Sequence, residues 1–277
     1  MSRNVDVVAA IPNYNMADSL SVLLPQVLEQ DYAAVYVMDD KSTDHSMDVL
    51  QSFAPDVTVI AGRENAGSSA NRNRLIPVLG NNCIVHFLDA DVRLVSDENP
   101  ARLREHMQSR IGMLGGLVVD TTGQQSPWNY GPRFSLHMSV SAMLQFKLYG
   151  RHPRGLRHFM RDWPETSQIP VARNTFWVVE SNMAMPSGVF KHHGFDPKLR
   201  EHDIQDLAIR LQRLGHISRF VPDVAVEHTA IDVRDSNRQL AMRRAEMYIA
   251  RKEGVFDWLL PDGYFRPRHH GDDETGY

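Results

Sequence analysis

Between Val5 and Leu88 the sequence alternates short β-branched apolar runs with stretches whose apolar residues recur at helical spacing, and this alternation admits few architectures. Strands are expected at Val5–Ile11, Ala34–Met38, Val57–Ala61 and Cys83–Leu88, with helices at Leu20–Gln30, Ser46–Phe53 and Ser68–Val78 between them, and Pro12–Asn15 is expected to break the first strand. Leu20, Leu23, Leu24, Val27 and Leu28 follow the i, i+3, i+4, i+7 stripe of a helix with one buried face. Strands separated by helices are joined by crossovers rather than hairpins, which makes the sheet mostly parallel. The runs read as apolar on both faces, as strands covered by helices above and below do.

Such a sheet places its ligand crevice beyond the carboxyl ends of its strands. Three polar clusters fall there: Ile11-Pro12-Asn13-Tyr14-Asn15, Met38-Asp39-Asp40-Lys41-Ser42-Thr43-Asp44 and Leu88-Asp89-Ala90-Asp91-Val92. Hard divalent cations take oxygen ligands, and a magnesium or manganese ion shared with a diphosphate needs only one or two protein carboxylates, so Asp91 is the first metal candidate. An isolated D-x-D would more simply cap a turn, but this pair has the other clusters beside it. Adjacent residues on a strand point oppositely, so one of Asp39 and Asp40 faces the crevice, where it could accept hydrogen bonds from a base or ribose. The other is free to brace the loop or cap the next helix. Glu64 to Asn73 opens a helix with small residues whose backbone N–H groups could approach an anion. Neither GxGxxG nor GxxxxGK[ST] occurs, which argues against a nicotinamide enzyme and a P-loop nucleotidase.

Downstream the pattern loosens. A helix is expected near Asn99–Ser109, a strand at Met113–Val119, a loop from Thr121 to Arg133, a helix over Arg133–Tyr149 and an irregular segment from Gly150 to Pro170. A strand at Thr175–Glu180, a short helix at Pro186–His192, a helix striped by Ile204, Leu207, Ala208, Leu211 and Leu214, and two short strands around Val221–Val226 follow. The last helix, about Asn237–Arg251, is expected to pack on the core through Leu240, Met242, Ala245, Met247 and Tyr248.

Composition excludes several classes. Thirty Lys plus Arg against 34 Asp plus Glu leave a formal charge of -4, so no overall basic field exists to hold nucleic acid. Cys83 is the sole cysteine, which removes intramolecular disulfides, thiolate zinc clusters and iron–sulfur sites and suits a reducing cytosol. No signal peptide and no run of roughly 18 apolar residues is seen, so a soluble cytoplasmic protein is expected, at most peripheral to the inner face of the membrane.

The four motifs IPNYN, MDDKSTD, NAGSSANRN and LDADV, in that order, resemble those of a family 2 glycosyltransferase of the GT-A fold, and the likeness returns at Gly194-Phe195-Asp196, Asp206 to Arg210 and Val226-Glu227-His228. The resemblance implies an α/β, Rossmann-like, mostly parallel central sheet with helices on both faces. It implies one domain over 1–277, with a nucleotide-sugar-binding half (1–95), an acceptor-binding and catalytic half (96–232) and a C-terminal helix and tail (233–277). Carried over residue by residue, it puts Pro12, Tyr14, Asn15, Asn65 and Asn73 around the nucleotide, Asp40 on the base, Asp89 near the ribose, and Asp91 with His228 on a Mn2+ or Mg2+ ion. The family's helix begins E-D-x-D-L, whereas here Asp203-Ile204-Gln205-Asp206-Leu207 places Ile204 at the second acidic position. The base is then Asp203, otherwise an ordinary N-cap carboxylate, or Glu201 just before it.

The implied reaction moves a sugar from a nucleoside-diphosphate donor (UDP, GDP or dTDP type) to the hydroxyl of a glycan, lipid-linked or small-molecule acceptor. The metal stabilises the leaving phosphate, a carboxylate takes the acceptor proton, and in-line attack inverts the anomeric carbon. Arg151, Arg154, Arg157 and Arg161 within 150–170 suggest a lid or a surface for an anionic or lipid-linked acceptor and for the membrane, against the plainer reading of a solvated basic loop. Two alternatives stand beside this: a non-catalytic nucleotide-sugar-binding protein, suggested by Ile204, and a sugar nucleotidyltransferase, which would carry a Gly-rich first loop in place of Pro12-Asn13-Tyr14-Asn15.

Overall fold

A computed structural model describes residues 5–131, 168–228 and 236–254. Strands β1 (Val7–Asn13), β2 (Ala34–Asp39), β3 (Val57–Ala61) and β4 (Ile84–Leu88) lie parallel in the order β3-β2-β1-β4. Helices α1 (Ala17–Leu28), α2 (Ser46–Ser52) and α3 (Ser68–Asn73) make the crossovers. The period of two along β1 divides the core: Ala9 and Ile11 pack with Leu20, Leu23, Leu24, Val27 and Leu50 on one face, Val8 and Ala10 with Leu75, Leu79 and Phe87 on the other. Each fully buried leucine of α1 contributes about 1.5–3 kcal/mol by leaving water, so that face alone fixes the register of helix on sheet.

Beyond β4 the sheet continues through β5 (Val92–Leu94), β6 (Ile111–Val119), β8 (Arg173–Thr175), β10 (Asn182–Pro186) and β11 (Ile217–His228). The full order is β3-β2-β1-β4-β10-β6-β11-β5, with β8 also on β11. Strand β10 runs antiparallel to both β4 and β6, while β6 and β11 are parallel. The small pair β7 (Tyr130–Gly131) and β9 (Trp177–Val178) lies apart. Helices α4 (Asn99–His106), α5 (Ser187–His193), α6 (Asp203–Arg213) and α7 (Ser236–Glu253) complete the described structure. Among the described residues no helix is long and apolar enough to cross a membrane.

Several expectations need correction. Pro12 does not end β1, because pairing with β4 stops at Ala10 and Pro12 then has one neighbouring strand, the edge position where a residue without an N–H is tolerated. The two short strands expected around Val221–Val226 are one long strand, which absorbs Pro222 and Asp223 as an irregularity between Val221 and Ala225 in its pairing with β6. The strand expected over Thr175–Glu180 is two, β8 and β9, split at Phe176. The helix expected over 133–149 and nearly all of the irregular segment 150–170 lie outside the described residues. Helix α7 buries Ala245 and Ile249 in the core, but Leu240 and Met247 face solvent. Its anchor is polar: Lys252 Nζ donates to Asp206 at 2.8 and 2.9 Å and to Asp196 at 2.8 Å, and the Tyr248 hydroxyl donates to Asp196 at 2.9 Å.

Candidate active site

The carboxyl ends of β1, β2 and β4 meet, as the crossover topology requires, and β11 returns alongside. His228 stands opposite Val92 in the β5–β11 ladder, which carries its imidazole to the D-x-D turn. His228 Nε2 lies 3.3 Å from Asp91 Oδ1, and one ligand atom from each of Asp89, Asp91 and His228 fits within 4.8 Å of the others. Two carboxylates and one imidazole, all partly buried, form a donor set that could hold a manganese- or magnesium-type ion shared with a diphosphate. Burial works to raise the Asp91 carboxyl, but the hydrogen bond and charge of His228 outweigh it and the net displacement is downward. Burial holds Asp89 above the usual carboxylate range despite the arginine beside it.

That arginine is Arg72 of α3. Its side chain is 3% exposed and bridges two remote elements, Nη2 donating to Asp89 Oδ1 and Nη1 to Asp203 Oδ2, both at 3.2 Å. The guanidinium also sits 5.4 Å over the Phe195 ring. Nothing local to Arg72 signals this role, since in sequence it is one residue of a helix start.

Asp203 begins α6, as expected, but it is buried and engaged. Oδ2 accepts from the Ser69 hydroxyl at 2.7 Å and from Arg72, and Oδ1 accepts from the Ile204 N–H at 3.0 Å. In this structure it is the counter-ion of Arg72 rather than a group open to an acceptor. Glu201 is more exposed and accepts from Arg238 Nε of α7 at 3.0 Å. Ile204, at the position where an acid was looked for, is 1% exposed in the core.

Asp39 and Asp40 are both buried and divide as strand geometry demands. Asp39 accepts from Asn13 Nδ2 at 2.8 Å and from the Ser42 hydroxyl and N–H at 2.6 and 2.9 Å. Asp40, expected on the base, accepts from the N–H groups of Ala66 and Gly67 at 3.0 and 2.8 Å and from Arg74 Nη1 at 2.7 Å. The anion held by the small-residue turn before α3 is therefore the protein's own carboxylate. Gly67, at φ +89°, supplies the left-handed backbone that aims this N–H.

Asn73, expected on the nucleotide, exchanges both amide groups with the backbone of Phe195, at 2.7 and 2.9 Å, and so fixes the Gly194–Phe195 turn. Asn15 accepts from the N–H groups of Thr43 and Asp44 at 2.7 and 3.3 Å. Tyr14 is 43% exposed, Asn65 is exposed in the loop between β3 and α3, and Pro12 is half-buried. A further carboxylate went unread in the sequence. Glu180, between β9 and β10, lies close enough to Asp203, Arg72 and Asp89 to interact with all three charges, and burial first, then the two aspartates, push it up to about 7. It read as the end of a strand, and only the fold brings it to the D-x-D turn.

A mostly parallel sheet with an Asp-Asp-His cluster beyond its strand ends, a donor set that could take a metal ion, defines the class: this is the GT-A fold. The family model Glycosyl transferase family 2 matches residues 8–172, so the chain belongs to that family and is a glycosyltransferase of it. No curated protein sequence matches the chain. Solved structures share the fold at low identity. A mannosyltransferase, PcManGT from Pyrobaculum calidifontis, in complex with GDP-Man and Mn2+, superposes with a TM-score of 0.61 at 17% identity, covering 94% of this chain and 67% of its own. S. aureus TarS 1-349 in complex with UDP-GlcNAc gives 0.58 at 15% identity, covering 91% and 66%. GalNAc-T7 with UDP, GalNAc and Mn2+ gives 0.62 at 13% identity, covering 89% and 48%.

Proposed function

We propose that the protein transfers a glycosyl group from a nucleoside-diphosphate sugar to an acceptor hydroxyl in a single, inverting displacement, with a divalent ion at Asp89, Asp91 and His228. The observation that carries this is the pocket itself, in which residues 137 positions apart in the chain (Asp91 and His228) come within 3.3 Å at the strand ends where such folds bind nucleotides. The solved relatives bound to GDP-Man, UDP-GlcNAc, or UDP with GalNAc support a nucleotide-sugar donor, and two of them contain Mn2+. Bound there, the ion would supply Lewis-acid stabilisation of the charge that builds on the departing diphosphate.

The chain's own residues do the rest. Asp89 and Asp91 each offer an oxygen within 4.8 Å of the other's and of a His228 nitrogen, Arg72 holds Asp89 through its Oδ1, and Tyr14, Asn15, Pro12 and Asn65 would meet the nucleoside. Asp39 and Asp40 tie the two loops that frame it. A carboxylate near Asp203 takes the proton of the attacking hydroxyl. The free, buried Cys83 suits a reducing cytoplasmic setting.

A thermal-shift panel of UDP, GDP and dTDP and their sugars, with and without manganese, tests this. Stabilisation by one nucleotide series that grows with manganese is the expected result. No stabilisation by any of them at millimolar concentration would refute the assignment, and the anomer of the product read by NMR decides inversion.

A further inference from the structure

We propose that Glu180 is the carboxylate that removes the acceptor proton; this rests on the glycosyl-transfer reading above. Its position comes from the sheet. Asn182 stands opposite Leu88 in the β4–β10 ladder, and the Asp89 N–H donates to the Ser181 carbonyl at 3.3 Å, so Glu180 and Ser181 cross the end of β4 where the D-x-D turn begins. Strand β10 approaches antiparallel, and its first residues therefore arrive at the same edge of the sheet where β4 ends.

The second argument is elimination by bonding. Asp203 is committed to Ser69, Arg72 and its own helix, Asp39 to Asn13 and Ser42, Asp40 to Ala66, Gly67 and Arg74, Glu201 to Arg238, and Asp206 to Arg210 and Lys252. The Glu180 carboxylate is bonded to no other side chain among the described residues; its own backbone N–H is its hydrogen-bond partner. Arg72 spends its two pairs on Asp89 and Asp203, which leaves the Glu180 carboxylate without a paired guanidinium. The helix on which the family resemblance looks for the acid has Ile204 turned into the core instead, and the carboxylate next to the end of β4 that no other side chain claims is Glu180.

The step balances as a single displacement. The acceptor oxygen forms its bond to the anomeric carbon, its proton passes to a Glu180 carboxylate oxygen, and the bond from that carbon to the phosphate oxygen breaks with its electron pair leaving on the nucleoside diphosphate.

The test uses the full chain with manganese and UDP-, GDP- and dTDP-sugars, reading thermal shift for binding and nucleoside diphosphate release to water for turnover. Glu180→Gln is expected to keep the wild-type thermal shift and KM while kcat falls at least about 100-fold, with Glu180→Asp recovering part of it. Gln removes one of three crowded negative charges, so the variant's melting temperature without ligand is expected to equal or exceed that of the wild type, which separates a chemical role from a structural one. Turnover by Glu180→Gln within threefold of wild type overturns the proposal and leaves the glycosyltransferase assignment standing. A wild type that binds a sugar nucleotide but never releases the diphosphate also overturns it. A wild type stabilised by none of the donors sinks the assignment of the site and the proposal together.

Discussion

Replacing Arg72 by methionine tests how the two halves of the site are held together. The guanidinium is buried with carboxylates on two sides at 3.2 Å, Asp89 from the D-x-D turn and Asp203 from α6. At an effective dielectric of about 20 each pair is worth about 5 kcal/mol of attraction, against a desolvation cost of several kcal/mol per ion. The net worth of the arrangement is therefore small, but removing the cation alone leaves the charges of Asp89, Asp203 and Glu180 crowded together with no counter-ion between them. The expected loss is about 3–5 kcal/mol, which for a chain of this size lowers the melting temperature by roughly 10 °C. The sign with pH follows from the raised carboxyls: without Arg72 they rise further, so the loss is greatest at pH 8 and shrinks as falling pH supplies the protons. Urea unfolding of wild type, Arg72→Met, Asp203→Asn and the double variant gives a coupling energy, expected above about 1.5 kcal/mol because the second removal relieves a charge the first left unpaired. A loss under about 1 kcal/mol with no coupling would refute the view that this ion pair joins the two elements.

Asp91→Asn should abolish the manganese-dependent part of the thermal shift and leave the metal-independent nucleotide shift; an unchanged manganese titration would remove Asp91 from the ligand set. Gly116→Ala should cost about 3 kcal/mol or more in urea unfolding, since a Cβ there would stand 2.2 Å from Asn182 Nδ2 and 2.3 Å from the Val224 carbonyl. His86 is fully buried between Tyr32 and Asn182, and burial lowers it to about 4. A histidine depressed on folding stabilises the protein above its unfolded pKa and loses that contribution as pH falls, here by about 2 kcal/mol between pH 7 and pH 5. Glu180 moves the opposite way over the same window, so the difference between wild type and His86→Asn at the two pH values isolates the histidine.

The first half of the fold was legible because each of its signals is local. Helical stripes such as Leu20 to Leu28 and continuous apolar runs such as Val7 to Ile11 need no distant partner to be read. The same holds for the D-x-D, whose place beyond a buried strand follows from Ile84–Leu88 alone. Strand β10 was not legible, because Asn182-Met183-Ala184-Met185-Pro186 owes its conformation to β4 and β6 on either side of it. Burial partners were equally hidden. Nothing in the neighbourhood of Asp40 says that Ala66 and Gly67 will take its oxygens, and nothing near Asp203 says that an arginine 131 residues earlier will claim it. Glu180 went unread for the same reason: its chemistry is a property of three charged neighbours, none of which adjoins it in sequence.

The sheet runs without interruption from β1 through β4 into β10, and this bears on how the chain can be divided. A fragment ending near residue 95 would carry β4 with a bare edge, the face that Met183 and Met185 otherwise cover, and a guanidinium deprived of Asp203. Limited digestion or separate expression of the two parts is expected to give aggregates rather than a donor-binding piece, and mixing them afterwards to restore the whole only if β10 can still zip into that edge.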